Sequence, residues 1–289
     1  RSDEYAFTLI DKCRMYGGFK GDEPFGYDLS LRDFEAHPTI LDGNQSQGVV
    51  EVNATFDGNS VLIDGFTLQN GNASQGGGIF INGSAMVRNC IITNNNASNG
   101  GGIMQRTESP VNVVIEHCEI FNNSASKGGG VYDLGNATYQ HCQIHHNIAR
   151  QNGGCIMCNN SNFNAQSVFV GCTVCNNTAL YGGGLYSGTS KATFWSCIFN
   201  NNTAQTGGGC ELAKNAKLYN CTIVKNEAEV NYGGVCNSQP IDKNYIMNCI
   251  IWGNVSQGEN AQIWPNDCCS HCAIENDASE TESNFKAEA

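Results

Sequence analysis

The sequence predicts an all-β chain folded as a right-handed parallel β-helix of about nine or ten coils with an N-terminal cap. Three observations carry this. A hexapeptide of the form Cys-x-apolar-x-x-Asn recurs seven times, from "CIITNN" at position 90 to "CIIWGN" at 249. Glycine pairs or triplets follow about ten residues after nearly every copy. No stretch sustains a 3.6-residue apolar period, so helices do not account for the pattern.

Residues 1–38 read as the cap and first strands, 39–275 as the repeats, and 276–289 as an acidic tail. In the first part, "YAFTLIDKCRMYGGFKGDE" carries isolated strand-like stretches, and Tyr5 to Phe34 is the candidate cap, because an uncovered parallel edge invites edge-to-edge assembly. "PTILDGN" and "DGFTLQNGNASQGGG" then open the repeats, with Phe66 in the cysteine position.

Within the repeats, Cys90, Cys118, Cys142, Cys172, Cys197, Cys221 and Cys249 are spaced by 24 to 30 residues. An apolar residue stands two places after each, and Asn95, Asn123, Asn147, Asn177, Asn202, Asn226 and Asn254 stand five places after. Inward positions two apart mark a strand, and the Gly runs and Asn-Ala pairs are turn chemistry. Each unit therefore reads as strand, turn, strand, turn. One unit cannot bury its apolar row; stacking the units does, with each strand hydrogen-bonded to its equivalent about 4.8 Å away. A leucine-rich horseshoe lacks its motif here, and identical residues at each turn favour a β-helix over propeller blades. The hand follows the usual preference of parallel crossovers.

The cysteines point into a dry bore as small hydrophobes, and the asparagine amides stack into a column that donates and accepts from coil to coil. Sixteen cysteines in an exported chain would ordinarily signal disulfides. For the seven in the column, register holds their Cβ atoms near the inter-strand spacing, longer than a good disulfide prefers, and a thiol ladder is expected. Cys155 and Cys210 take the aliphatic position after the glycines, while Cys158, Cys175 and Cys236 lie near turns and are free to pair. "CCSHC", from Cys268 and Cys269 to His271 and Cys272, reads as a local disulfide or a compact zinc cluster, although its spacing matches no common structural zinc site. Cys155-x-x-Cys158 has redox spacing but no helix N-terminus to lower a thiol pKa, so it reads as structural.

With 40% hydrophobic and 15% charged residues and only 5 prolines, the chain should fold. A net charge of −12 argues against nucleic acid and anionic membranes as partners, and no apolar run reaches the roughly 20 residues of a spanning helix. The chain opens with Arg1, which reads as processed or trimmed. Twelve Asn-x-Ser/Thr triplets suit a secreted glycoprotein but follow as readily from an Asn/Ser-rich repeat.

Chemistry on the outside is sparse. Polysaccharide lyases and hydrolases need converging carboxylates with a basic residue; Glu116 and Glu119 share a coil, Asp133 follows, and Asp42, Asp57 and Asp64 read as turn residues. No catalytic set and no cofactor is predicted. If Cys118 and Cys142 point inward, His117 and His141 stack outside with Glu119, Gln143 and His145 beside them, and His117, His141 and Glu119 become a candidate metal site. Tyr139, Phe169, Trp195 and Tyr219 form a candidate outward strip for carbohydrate or protein.

At "YGGFKGDE", "TILDG", "DGFTLQNGNASQGGG" and the repeated "NCII" and "GGG" elements, the chain resembles bacterial surface proteins with polymorphic-outer-membrane-type β-helix repeats, of the pectin-lyase-like fold. The resemblance covers roughly residues 5 to 275. It implies the β-helix and an exported, surface-associated life, but no agreed catalytic set. The closing "NCIIWGN" looks like the coils that precede an anchoring or sorting region in such proteins. The expected function is a structural or adhesive β-helix, secreted or at the cell surface, whose partners are other surface proteins or itself in an assembly or filament. The alternatives are a carbohydrate-active enzyme acting on polysaccharide and a glycan-binding module.

Overall fold

A computed structural model describes residues 4–54, 60–106, 112–159, 166–188, 191–212, 216–237, 245–258, 261–264, 269–275 and 285–287. Every strand pair is parallel, and the strands form four sheets of 10, 10, 11 and 8. The chain passes from Ile79–Asn82 in the first sheet to Ala85–Arg88 in the second, Ile91–Thr93 in the third and Asn96–Asn99 in the fourth. It then re-enters the first sheet at Ile103–Gln105. The fourth sheet's 8 strands number the complete coils, with a partial coil at each end. At the inter-strand rise the first sheet alone spans about 45 Å. The parallel β-helix agrees with expectation, and its 8 complete coils are fewer than the nine or ten expected.

Each coil holds four short strands, whereas the sequence suggested two. The additional corners are single residues in the left-handed region, which glycine marks in only a few coils, at Gly65, Gly171 and Gly253. One such corner precedes each ladder cysteine, as at Asn89 (φ 52), His117 (φ 52), His141 (φ 51) and Asn220 (φ 54). Another precedes each ladder asparagine, as at Asn94 (φ 57), Asn122 (φ 54) and His146 (φ 53). Asn is the commonest occupant because its short polar side chain tolerates this region. The third corner is the first glycine of each run, with Tyr232 (φ 64) in its place once. The second glycine is required for a different reason: a Cβ on Gly101 would lie 2.5 Å from the carbonyl oxygens of both Gly129 and Ser124.

The bore is filled by like residues stacked on like. All seven predicted cysteines lie in one column, buried and free. The column gains an eighth rung in Cys272, since Ile250 pairs with Ala273 and Ile251 with Ile274. Each thiol lies against a carbonyl oxygen of the preceding coil, for example Cys118 Sγ to Val87 O at 3.6 Å and Cys142 Sγ to Ile115 O at 3.5 Å. A weak S–H donor at this corner therefore does what an alanine or valine cannot.

The asparagine column is a continuous hydrogen-bond chain. Nδ2 of Asn95 donates to Oδ1 of Asn123 at 3.0 Å, and the same bond repeats at every step to Asn254, at 2.9 to 3.1 Å. Each Nδ2 also donates to a carbonyl of the preceding coil, as Asn123 does to Ile92 O at 2.9 Å. Gln262 ends the chain, its Oε1 accepting from Asn254 Nδ2 at 2.8 Å, and is itself held by Glu275. Full pairing is what allows seven amides to be buried.

Cysteine placement departs from expectation at several points. Cys155 occupies the third glycine position, opposite Gly130, and Ile156 takes the aliphatic position opposite Val131; Cys210 does sit opposite Leu185 as expected. Cys158, Cys175 and Cys236 are free thiols. Cys269 and Cys272 are buried and point into the core. Cys268 lies outside the described residues.

Tyr5–Leu9 pairs with Gly48–Asn53, and Arg14–Tyr16 with Val61–Asp64, so these stretches begin the first and second sheets. Residues 17–38, between them and Thr39–Asp42, leave the coil path with one 3-10 turn, Leu29–Leu31. Arg32 fastens this excursion to the coils: it bonds Asp64 Oδ2 at 2.7 Å and Gly17 O at 2.9 Å, and its guanidinium lies 5.0 Å from the Tyr16 ring centre. Within the expected acidic tail, Phe285–Ala287 pairs in parallel with Ala273–Glu275.

Candidate functional site

The outer surface is read from the register. In the second sheet the residue two before each ladder cysteine faces out and the residue three before faces in, because the corner residue intervenes and shifts the alternation. The outward column runs through Glu116, Gln140, Val170, Trp195, Tyr219 and Met247. Trp195 is 41% exposed and stacks on the half-buried Tyr219, with ring centres 4.2 Å apart. Lys217 lies beside them on the same strand, with its ammonium 5.7 Å from the Tyr245 ring centre. Around the corner in the third sheet, Ile198 and Ile250 share an outward column and are 41% and 48% exposed.

Tyr139 and Phe169 do not belong to this strip. Both are fully buried, one column further in, and with Phe194 they form an aromatic stack inside the bore at 4.4 and 4.5 Å between centres. The expectation set residues two and three before the ladder cysteine on one face, whereas neighbouring strand residues face opposite ways. Phe194 and Trp195 then fall on opposite faces, and the strip contracts to Trp195 and Tyr219.

His117 and His141 do stack outside, with centres 5.4 Å apart and planes 20° apart. Glu119 is engaged elsewhere: its Oε1 lies 3.0 Å from His145 Nε2. His145 also stacks on Phe121 at 5.1 Å, and its Nδ1 lies 2.8 Å from Nδ1 of His146. Among the described residues, no three His, Cys, Asp or Glu side chains converge on a common point. The neighbouring cleft of about 190 Å³ is bounded by Phe34, Phe66, Asn89, His117 and Glu119.

Most of the described acidic residues serve separate structural tasks, while Asp64 and Glu116 share Arg88. Asp64 is fully buried; burial acts to raise its pKa, but hydrogen bonds from Asn89, Arg32 and Arg88 together with the Arg32 charge hold it below the usual carboxylate range. It is an anchor for the excursion rather than a turn residue. Arg88 bridges Asp64 at 3.0 Å and Glu116 at 3.8 Å. Asp42 accepts from Gln69, Asn44 and Asn70, which lower its pKa, as suits a turn. Asp57 lies outside the described residues.

Two buried carboxyls behave in the opposite sense. Asp133 points inward, and burial pushes it up to about 6, against hydrogen bonds from Gly135 and Ser167. Its Oδ2 and the Tyr139 hydroxyl have no partner in hydrogen-bond geometry among the described residues, although each lies close enough to influence the other's titration. Glu211, which the sequence reading passed over, sits on the outer face of the first sheet between Tyr186 and Cys236, and burial pushes it up to about 7. Its signal was an acid following an apolar run of Phe80, Met104, Tyr132 and Met157 in a column that Glu51 opens. A single raised carboxyl with no second one beside it does not make an acid/base pair.

Comparison with known proteins finds no matching family model, no matching curated protein and no matching solved structure.

Proposed function

We propose that the chain is a non-catalytic extracellular β-helix with a structural or adhesive role, engaging other surface proteins or further copies of itself through the outer face of its C-terminal coils. The observation that carries this is the exposed strip of Trp195, Ile198, Tyr245 and Ile250, around Tyr219. Across the three coils that contain it, from Lys191–Trp195 to Ile250–Trp252, no strand of the second or third sheet carries an Asp or Glu. In a chain of net charge −12 such a face is set apart. Absence of acidic residues with enrichment of Trp, Tyr and Met suits a docking patch, to which Lys191 and Lys217 add a basic character. The dispersal of the carboxylates supports a role without turnover, and the exported setting is supported by the resemblance of the repeats.

The test is electron microscopy and sedimentation of the protein at rising concentration, beside incubation with acidic polysaccharide and calcium. Ordered assemblies that Trp195→Ala and Ile250→Lys disperse are expected, with no unsaturated products. Product release that survives Trp195→Ala would replace this reading with an enzyme. Binding on a glycan array, lost in Trp195→Ala, would make it a glycan-binding module.

A further inference from the structure

We propose that His145 and His146 form a binding site for a late first-row divalent cation, Cu²⁺ most tightly, with Glu119 as the positioning residue behind His145. Neighbouring residues of a strand face opposite ways. Here the strand Gln143–His145 ends at an outward residue, and His146 occupies the left-handed corner (φ 53), so two consecutive imidazoles emerge on the same side. Other coils place Thr93 and Asn94, Phe121 and Asn122, or Asn200 and Asn201 at these two positions.

The two Nδ1 atoms face one another at 2.8 Å, with the rings nearly perpendicular at 87°. Only one proton fits between two nitrogens at that separation. The Glu119 carboxylate at 3.0 Å from Nε2 of His145 requires the proton of a neutral His145 to sit on Nε2, which leaves its Nδ1 lone pair directed at His146. His146 Nδ1–H then fills the gap. A divalent cation displaces that proton and, too large for the line between the nitrogens, sits beside it with both rings turned towards it; the proton moves through solvent to Nε2 of His146, so with both rings neutral no proton leaves the pair.

Geometry selects among cations. Two bonds of about 2.0 Å at a right angle place their nitrogens about 2.8 Å apart, while a tetrahedral angle requires about 3.3 Å. The observed separation matches the tetragonal case, and the Irving–Williams order also favours Cu²⁺. Stacking on Phe121 fixes the His145 ring from the preceding coil. His146 is exposed, so water completes the coordination. His117 and His141 cannot serve the same way, since stacked rings hold their lone pairs in parallel planes.

The test titrates the intact protein with Cu²⁺ and reads electron paramagnetic resonance. One ion with coupling to two imidazole nitrogens is expected. His145→Asn and His146→Asn, which install the residue found at the same positions in other coils, should each weaken binding at least 100-fold while retaining the parent β-type circular dichroism. Glu119→Gln should weaken it about 10-fold, and the double variant His117→Asn, His141→Asn should leave it within twofold. Undiminished affinity in His146→Asn, or loss in the His117 and His141 double variant, would overturn the assignment. An unchanged affinity in Glu119→Gln would remove Glu119 from it.

Discussion

The Nδ2 of Asn147 donates to Oδ1 of Asn177 at 3.1 Å, and the backbone N–H of Asn147 reaches the same oxygen at 2.9 Å. Each oxygen from Asn123 to Asn254 thus accepts twice from one residue of the neighbouring coil, while that of Asn95 accepts from Gly71 N–H. Asn147→Ala removes the acceptor of two buried donors on Asn123 and a donor to Ile120 O. At about 1–3 kcal/mol for a buried group left unpaired, the loss should be about 3 kcal/mol, read as a lower urea midpoint. Asn147→Asp should cost at least as much, because a carboxylate restores the acceptor but brings a buried charge and no donor.

The Tyr139, Phe169 and Phe194 stack predicts a sharp contrast between adjacent columns. Phe169→Ala opens a cavity in the bore and should cost about 3–5 kcal/mol. Trp195→Ala, on the outer face, should cost less than about 1 kcal/mol. Equal losses in the two variants would contradict the placement of the residues three and two before the ladder cysteine on opposite faces.

That contrast also shows what the sequence could reveal. Cys90 through Cys249 and the seven asparagines were legible because stacking in register forces the same residue into the same place in every coil. The four-strand coil was not, because its corners are single residues such as His117, Ser196 and Lys225, whose φ of 52 to 54 leaves no compositional trace. Tyr139 and Phe169 stand one position from the column of Trp195 and Tyr219, and with a period of two a shift of one exchanges inside for outside. Cys272 was hidden by the irregular "CCSHC" around it, although Ile274 two places later repeats the ladder pattern. The Glu119 and His145 pair lies between residues 26 apart, brought together by register alone.

Asp133 and Glu211 predict stability that falls as pH rises. Their folded-state pKa values, about 6 and about 7, lie above the ordinary carboxylate values of about 4 in an unfolded chain. Between those limits the folded state holds protons that the unfolded state has released, so stability decreases across roughly pH 4 to 7 and levels off above. Asp133→Asn with Glu211→Gln should flatten this slope, gaining about 2–4 kcal/mol at pH 8 relative to the parent, measured as urea midpoints at pH 4.5 and 8. Asp64 acts in the other sense: its pKa is lowered on folding, so its contribution is present above about pH 4 and lost as pH falls below that.

Arg32 ties residues 17–38 to the coils through one buried ion pair, its side chain 6% exposed against 0% for Asp64. Arg32→Met keeps the stem over Tyr16 but removes the donors to Asp64, Gly17 and Leu29. Asp64 keeps Arg88 at 3.0 Å and Asn89 at 2.8 Å, so the coils should remain folded while the excursion loosens. Breaking one side of a buried pair costs about 3–5 kcal/mol when the other is left alone; with two partners retained, about 2 kcal/mol is expected, borne by the excursion. Cleavage after Lys20 by trypsin should then accelerate about 30-fold at unchanged global urea midpoint. A midpoint that falls as the cleavage rate rises would show that residues 17–38 unfold only with the coils, and would place Arg32 in the core of the fold's cooperativity.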